Sequence, residues 1–442
     1  MLISQAIQRK LHFSRNSLSR TVYYSRRCIK PVWSSGADRN VVSKIANPLV
    51  KGSTLVNLSS CADVKLPPCE TLELRVPYPY PRQAYADIIF GVASNYDRLQ
   101  DRHSLDGFAH WLSGTEAKLV AIVMDVGDSP QETARLATLR SLYESRGINL
   151  EPIAPRNKAL SVAHNHFAIL GEMLQVATED TRWFGLVDDD TFFPSLYRLD
   201  QELQKHDHTK PAWLGALSED FAVVKWLGIM AYGGAGTFLS LPLARKLVPH
   251  IPDCLKLPWA MAHNTTGDGL LRDCIFEYTR TKLSIVEGLY QHDLRGDLSG
   301  FFESGVQPLS VHHWRSWYKV PMPAIAAVSR ICGDCFLQRW QFGERMLLAN
   351  GYSITEYAKG VNSIDLQQME GTWSNPGNEF EFSLGPLRPA LEDTEKKSYR
   401  LIDASFTAAG GLRQLYVYRD PLEERPNHAL ELIWDTHKGF VH

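Results

Sequence analysis

Apolar residues fall in short unbroken blocks through the middle of the chain. Asp87-Ile88-Ile89-Phe90-Gly91-Val92-Ala93, Lys118-Leu119-Val120-Ala121-Ile122-Val123-Met124-Asp125 and Trp183-Phe184-Gly185-Leu186-Val187 have the length and composition of strands buried on both faces. Between them the pattern turns helical. Residues 130–146 are rich in Ala, Leu, Glu and Arg, and residues 164–178 repeat apolar side chains at helical spacing. Strands alternating with helices predict a mostly parallel α/β sheet covered on both faces. From Gly371 onward the alternation is that of strands, as in Phe380-Glu381-Phe382-Ser383-Leu384 and Leu415-Tyr416-Val417-Tyr418. A small β-rich C-terminal extension over residues 361–442 is therefore expected.

Residues 1–80 show little periodicity and close on the run Pro77-Tyr78-Pro79-Tyr80-Pro81. They read as a poorly ordered basic tail and stem leading to a catalytic domain over residues 81–360. One uncharged stretch, residues 226–244, approaches bilayer length, but Gly228, Gly233, Gly234, Gly236 and Pro242 make it a poor helix. It reads as a buried strand, a glycine turn and a second buried strand, and no membrane-spanning segment is expected.

Composition changes this picture little. The 442 residues are 44% hydrophobic and 22% charged with a net charge of −2, so nothing in the balance points to nucleic acid or an anionic membrane. Charge is uneven only at the start, where Arg9, Lys10, Arg15, Arg20, Arg26, Arg27 and Lys30 precede the first acid, Asp38. That segment lacks the continuous apolar core of a secretory signal and reads as a basic tail, a mis-called start or an organelle presequence. Of the seven cysteines, Cys61/Cys69, Cys254/Cys274 and Cys332/Cys335 would make three disulfides and leave Cys28 in the tail. One Cys-x-x-Cys without a second pair is poor evidence for zinc. With the sequons at Asn57 and Asn264, the cysteines favour an oxidising, secretory compartment.

Four segments carry candidate chemistry. Val187-Asp188-Asp189-Asp190-Thr191 follows the third strand, where ligands bind in open α/β sheets. Residues two apart in extended chain share a side, so Asp188 and Asp190 can face one pocket. Two such carboxylates repel unless a hard divalent cation, Mg²⁺ or Mn²⁺, lies between them. The plainer reading is an acidic turn capping a helix. Tyr232-Gly233-Gly234-Ala235-Gly236 is either an ordinary turn or a place where backbone approaches a ligand. Thr266-Gly267-Asp268-Gly269-Leu270-Leu271 starts a helix, and Asp268 is either its cap or a general base. In Val311-His312-His313-Trp314 the histidines are metal ligands or core residues. A phosphate loop, a nucleophile elbow and a His-Glu-x-x-His helix are absent from the sequence.

In this order the segments resemble the fringe-like branch of the β-1,3-glycosyltransferases, glycosyltransferase family 31, in particular its fungal and plant fringe-related members. The likeness covers residues 88–357. It is carried by Arg182-Trp183-Phe184-Gly185-Leu186-Val187-Asp188-Asp189-Asp190-Thr191-Phe192-Phe193, Ala231-Tyr232-Gly233-Gly234-Ala235-Gly236, Thr266-Gly267-Asp268, Tyr290-Gln291-His292-Asp293 and Pro308-Leu309-Ser310-Val311-His312-His313-Trp314. The resemblance implies a GT-A fold, a Rossmann-like mostly parallel sheet, and an inverting transfer of sugar from a UDP-sugar to a hydroxyl of a glycan or glycoprotein in the Golgi. It implies Mn²⁺ or Mg²⁺ held by Asp190, Asp188 and His312, with His313 as the alternative ligand. Asp268 would be the base, and Asp188, Asp189, Ser94 and Arg102 would meet the donor nucleotide. Gly233 and Gly234 would line the sugar or acceptor side. Gly269 departs from the family, which has a second acid there, and the usual N-terminal anchor is not visible. These departures keep a second reading open, a catalytically silent sugar- or nucleotide-binding relative. A metal-dependent phosphohydrolase would leave the glycine loop and the paired histidines without a role.

Overall fold

The structure is a computed structural model that describes residues 21–58, 66–81, 83–127, 129–262, 265–374, 381–421 and 425–436. Its first strands are β1 (Thr21–Trp33), β2 (Ser43–Ile45), β3 (Thr54–Asn57) and β4 (Thr71–Val76). A second group follows: β5 (Ile88–Ser94), β6 (Lys118–Val123), β7 (Asn149–Ile153), β8 (Trp183–Leu186), β9 (Trp213–Gly215), β10 (Thr237–Ser240) and β11 (Leu283–Ile285). These form a seven-stranded sheet in the order β11-β9-β10-β8-β5-β6-β7. All its pairings are parallel except those of β10, which runs against β8 and β9.

The apolar blocks form the middle strands because both of their faces are covered. Phe90, Val92, Leu119, Ala121 and Val123 join one core, while Ile89, Ala93, Val120 and Ile122 join the other. Helices α1 (Arg102–Leu112), α2 (Pro130–Glu144), α3 (Val162–Gln175) and α4 (Gly267–Tyr278) follow the chain order. Phe108 and Trp111 of α1 pack into the first core, whereas Phe167, Ile169 and Leu170 of α3 and Leu270 of α4 fill the second. Ser129 caps α2 by accepting from Glu132 N, with Pro130 in the first turn. Ser161 caps α3 in the same way, accepting from His164 N. The expected class is the one observed, a Rossmann-like sheet with helices on both faces and an additional β-rich sheet.

That additional sheet is larger than expected and differently built. It takes β1–β4 from the start of the chain and β12 (Arg339–Phe342), β13 (Met346–Ala349) and β14 (Ser353–Tyr357) from the middle. Past the short parallel pair β15 (Met369–Gly371) and β16 (Leu387–Pro389), it ends with β17 (Lys396–Phe406), β18 (Leu412–Tyr418) and β19 (Asn427–Trp434). Strand β1 lies parallel to β19 over Val22 to Ile29, so segments about 400 residues apart lie side by side in one sheet. The reading of residues 1–80 as a tail and stem thus fails from Thr21 onward. The β-rich part is also not a C-terminal extension alone. Residues 1–20, with Arg9, Lys10, Arg15 and Arg20, lie outside the described residues.

Three further expectations change. Residues 226–244 contain one strand, β10; their first part belongs to the short helix Phe221–Leu227 and its loop, where Trp226 and Ile229 are exposed. No helix among the described residues is long and apolar enough to cross a membrane. Glu381 to Leu384 make only an isolated bridge, Phe382 with Asp220, and Phe380 lies outside the described residues. Cys254–Cys274 and Cys332–Cys335 pair as expected, but the third disulfide is Cys28–Cys69. The parallel register of β1 with β4 sets Cys28 opposite Thr71, two residues from Cys69, and the two Cα atoms lie 5.3 Å apart. Cys61, like the sequon residue Asn264, lies outside the described residues. The disulfides suggest the secretory pathway.

Candidate active site

Strand β8 ends at Leu186, and the chain turns at once into Asp188-Asp189-Asp190. The turn is fixed by Thr191, whose hydroxyl accepts from Asp188 N at 2.9 Å and donates to Gly234 O at 2.9 Å. Phe192 and Val311 then form a two-way bridge, each N–H donating to the other's carbonyl at 2.8 Å. This bridge sets His312 against the acids although 122 positions of sequence separate it from Asp190.

His312 Nε2 lies 3.1 Å from Asp190 Oδ1 and 3.3 Å from Asp188 Oδ2. Its Nδ1 lies 3.0 Å from Gln291 O, which fixes the tautomer with the proton on Nδ1 and leaves Nε2 for the acids or a metal. Asp190, His312 and His313 offer ligand atoms within 4.8 Å of one another. His313 stacks on Trp317 at 4.0 Å and points Nε2 towards Asp293 at 3.4 Å. Asp293 also accepts from Ser218 Oγ at 2.6 Å.

The Tyr290-Gln291-His292-Asp293 segment frames this site. Gln291 holds His312 through its carbonyl and the glycine loop through its amide oxygen, which accepts from Ala235 N at 3.0 Å. Buried Glu219 accepts from the Gln291 and His292 N–H groups, both at 2.8 Å. The loop itself must be glycine. A Cβ on Gly233 would collide with the Asp268 carboxylate and the His166 ring, and one on Gly234 would strike the His312 ring. Gly233 and Gly234 therefore let the acids and histidines close over the backbone.

Asp268 sits in the first turn of α4, where Thr266 caps the helix by accepting from Gly269 N at 3.1 Å. It faces the same cleft. Between Asp268 and Asp188 stands His166, from α3: its Nδ1 is 3.4 Å from Asp188 Oδ1 and its Nε2 3.5 Å from Asp268 Oδ1. Gly269 lies where the indole of Trp259 would meet any Cβ, so there is no room for the second acid of the related pattern.

The electrostatics follow from this crowding. Burial alone would push the Asp190 carboxyl up, but the hydrogen bond and charge of His312 outweigh it and hold the carboxyl below its usual range. Asp188 resolves the same contest, also in favour of the charged form, through His312 and His166. Burial would push His312 down, yet the two carboxylates hold it well above its ordinary value. Two carboxylate oxygens and an imidazole nitrogen, drawn together at a strand end, fit a divalent cation such as Mn²⁺ or Mg²⁺. The imidazole tilts the choice away from a purely oxygen-seeking ion.

Asp189 turns the other way. It takes a two-pronged contact from Arg98, with Arg98 Nε at 2.6 Å, and a hydrogen bond from Ser94 Oγ at the end of β5. Ser94 thus reaches the acidic turn through Asp189. Arg102 does not: its side chain is 86% exposed and pairs with Asp106 one helical turn along. The guanidinium at the acids is Arg98, four residues earlier. Arg98 and His166 were both missed in the sequence, since a basic residue in one helix and a histidine on the apolar face of another look like ordinary surface and core.

Comparison with known proteins adds little weight. A family model described as a protein of unknown function, DUF604, matches residues 226–331, which span the glycine loop, Asp268 and both histidines. No curated protein matches. Among solved structures, the glycosyltransferase GlyE of Streptococcus pneumoniae TIGR4 is 14% identical with a TM-score of 0.30, over 46% of this chain and 45% of its own. The mannosyltransferase PcManGT of Pyrobaculum calidifontis, in complex with GDP-Man and Mn²⁺, is 10% identical with a TM-score of 0.28, over 50% and 60%. Mouse xyloside xylosyltransferase 1 is 9% identical with a TM-score of 0.31, over 45% and 84%. The chain thus spans about half the length of the first of these. Likenesses at such scores carry no argument, and the case rests on the geometry of the site.

Proposed function

We propose that this chain is a metal-dependent, inverting glycosyltransferase that moves a sugar from a UDP-sugar to a hydroxyl of a glycan or glycoprotein acceptor. One observation carries the reading. Asp190, His312 and His313 converge at the carboxyl end of β8, and Asp268 faces them across a loop whose glycines leave room for nothing larger.

Asp190 and His312 Nε2, with Asp188 beside them, would hold Mn²⁺ or Mg²⁺, which when bound supplies positive charge against the departing diphosphate. The chain's own groups do the rest. Asp268 accepts the proton of the acceptor hydroxyl as its oxygen bonds to the anomeric carbon. The bond from that carbon to the diphosphate breaks on the opposite side, so the configuration inverts. Gln291 keeps His312 in its metal-binding tautomer, and Thr191 keeps the acidic turn against the glycine loop. Asp189, which accepts from Ser94 Oγ, holds Arg98, which would meet the donor nucleotide. The disulfides fit a secretory or Golgi lumen, and a β-1,3 linkage is the product the sequence resemblance suggests.

The test is release of UDP from a panel of UDP-sugars with Mn²⁺ and mixed acceptors. Turnover that disappears in both Asp190→Ala and Asp268→Ala supports the assignment, and turnover retained in both overturns it. The missing acid at Gly269 favours one second reading. Metal-dependent UDP binding without turnover would mark a silent binding relative.

A further inference from the structure

His166 is the buried group that the reaction above leaves without a part. It projects from the first turns of α3, its side chain 8% exposed, and two glycines make room for it. A Cβ at Gly233 would press on Nε2 and Cε1, and a Cβ at Gly267 on the other edge of the ring, at Cβ, Cγ and Cδ2. Packing from both sides therefore fixes the plane of the imidazole. Each ring nitrogen faces one carboxylate, Asp188 at 3.4 Å and Asp268 at 3.5 Å. Both distances are longer than a good hydrogen bond, and Nε2 is a buried nitrogen without a hydrogen-bond partner. A buried polar atom in that state calls for a role. A residue that served only to fill space here would cost less as an apolar ring.

We infer that His166 is a positioning residue that ties the acid on the metal side of the cleft, Asp188, to the acid on the acceptor side, Asp268. The inference rests on the transferase reading for what the two acids do, but the bridge itself is a matter of geometry. As a rigid ring standing between the two carboxylates, 3.4 Å from Asp188 and 3.5 Å from Asp268, His166 sets the spacing of the two acids across the cleft. A carboxylate at a helix start otherwise swings freely between rotamers. Misplacement of a reacting group by about 1 Å costs on the order of a hundredfold in rate.

The test uses the full chain with two readouts. In protein carrying ¹⁵N-histidine, the His166 Nδ1 resonance should move in Asp188→Asn and the Nε2 resonance in Asp268→Asn. If neither moves, the bridge does not exist and the proposal falls, whatever the activity. In turnover assays, His166→Phe keeps the ring volume but loses both nitrogens, and kcat should fall about 10- to 100-fold with the KM for UDP-sugar within about threefold. His166→Asn, which keeps one polar reach, should recover part of that loss. A kcat in His166→Phe within twofold of wild type overturns the positioning role. Wild-type protein with no turnover on any donor would instead sink the transferase reading, while the spectra still decide the bridge.

Discussion

Two charge clusters among the described residues are balanced in opposite ways. Between the sheets, Glu303 meets Arg400 Nη1 at 2.9 Å, Ser353 Oγ at 2.7 Å and Lys396 at 3.8 Å. Glu370 beside it takes Arg388 at 2.7 Å and Lys396 at 2.6 Å. With Asp297, 3.6 Å from Arg400, three acids there face three fixed cations. In the cleft, Asp188, Asp190 and Asp268 lie against His312 and His166, Asp293 lies against His313 and Ser218, and the Arg98 guanidinium is taken by Asp189. The first cluster matches its acids with basic side chains and pins β14 and β17 to the helix Ser299–Glu303. The second leaves an excess of negative charge that a cation would relieve. Burial of acids does not by itself mark a site, but burial without matching cations does.

The contrast can be broken at either end. The largest expected effect is on the balanced cluster: Glu303→Ala takes from Arg400 its 2.9 Å partner, while Lys396 keeps Glu370, and should cost about 3–5 kcal/mol in urea unfolding. Mn²⁺ affinity should stay as in wild type, and an unchanged unfolding midpoint would remove the structural role. At the cleft, Asp190→Ala should lower turnover roughly a thousandfold, the equivalent of about 4 kcal/mol of lost charge stabilisation. Its thermal midpoint should fall only slightly, because His312 loses one of its two carboxylate partners and keeps Asp188; a drop as large as that of Glu303→Ala would mean that the cleft is structural after all. Gly233→Ala, which forces Asp268 and His166 aside, should cost about a hundredfold in kcat while the far-ultraviolet dichroism stays the same. Wild-type kcat in that variant would show that the loop is only a turn.

The smallest effect is a pH dependence. Burial would raise the Glu303 carboxyl, but Arg400, Lys396 and Ser353 hold it below its ordinary value of 4.5 in the folded chain. The unfolded chain therefore takes up the proton first as acid is added. Glu303 contributes stability above pH 4.5 and loses it as the pH falls through the folded value. Stability measured from pH 6 down to about 3 should slope less in Glu303→Gln than in wild type. Parallel slopes would refute the assignment.

Legibility in the sequence followed the range of the interactions. Strands β5, β6 and β8 are buried on both faces, so each declares itself as an apolar run. The acidic turn was legible because its residues are adjacent. Strand β1 was not, although Val22, Tyr24 and Ile29 are fully buried. Its apolar positions alternate with Arg26, Arg27 and Lys30, whose partners Pro67, Glu70 and Glu73 come 41 to 43 residues later, and its sheet partner β19 spans Asn427–Trp434. A strand that takes its meaning from such distant partners reads as a basic tail. The cleft shows the same limit. Asp268 and His312 stand in recognisable segments, whereas His166 and Arg98 matter only through what folds against them.

The proposed chemistry depends on a divalent cation held by His312 and the acids after β8. Calorimetric titration of Mn²⁺ into the purified chain, with UDP present and after treatment with a chelator, tests it most directly. Wild type should bind one ion per chain, and Asp190→Ala and His312→Ala none. Equal binding in all three proteins, or none in wild type, would contradict it.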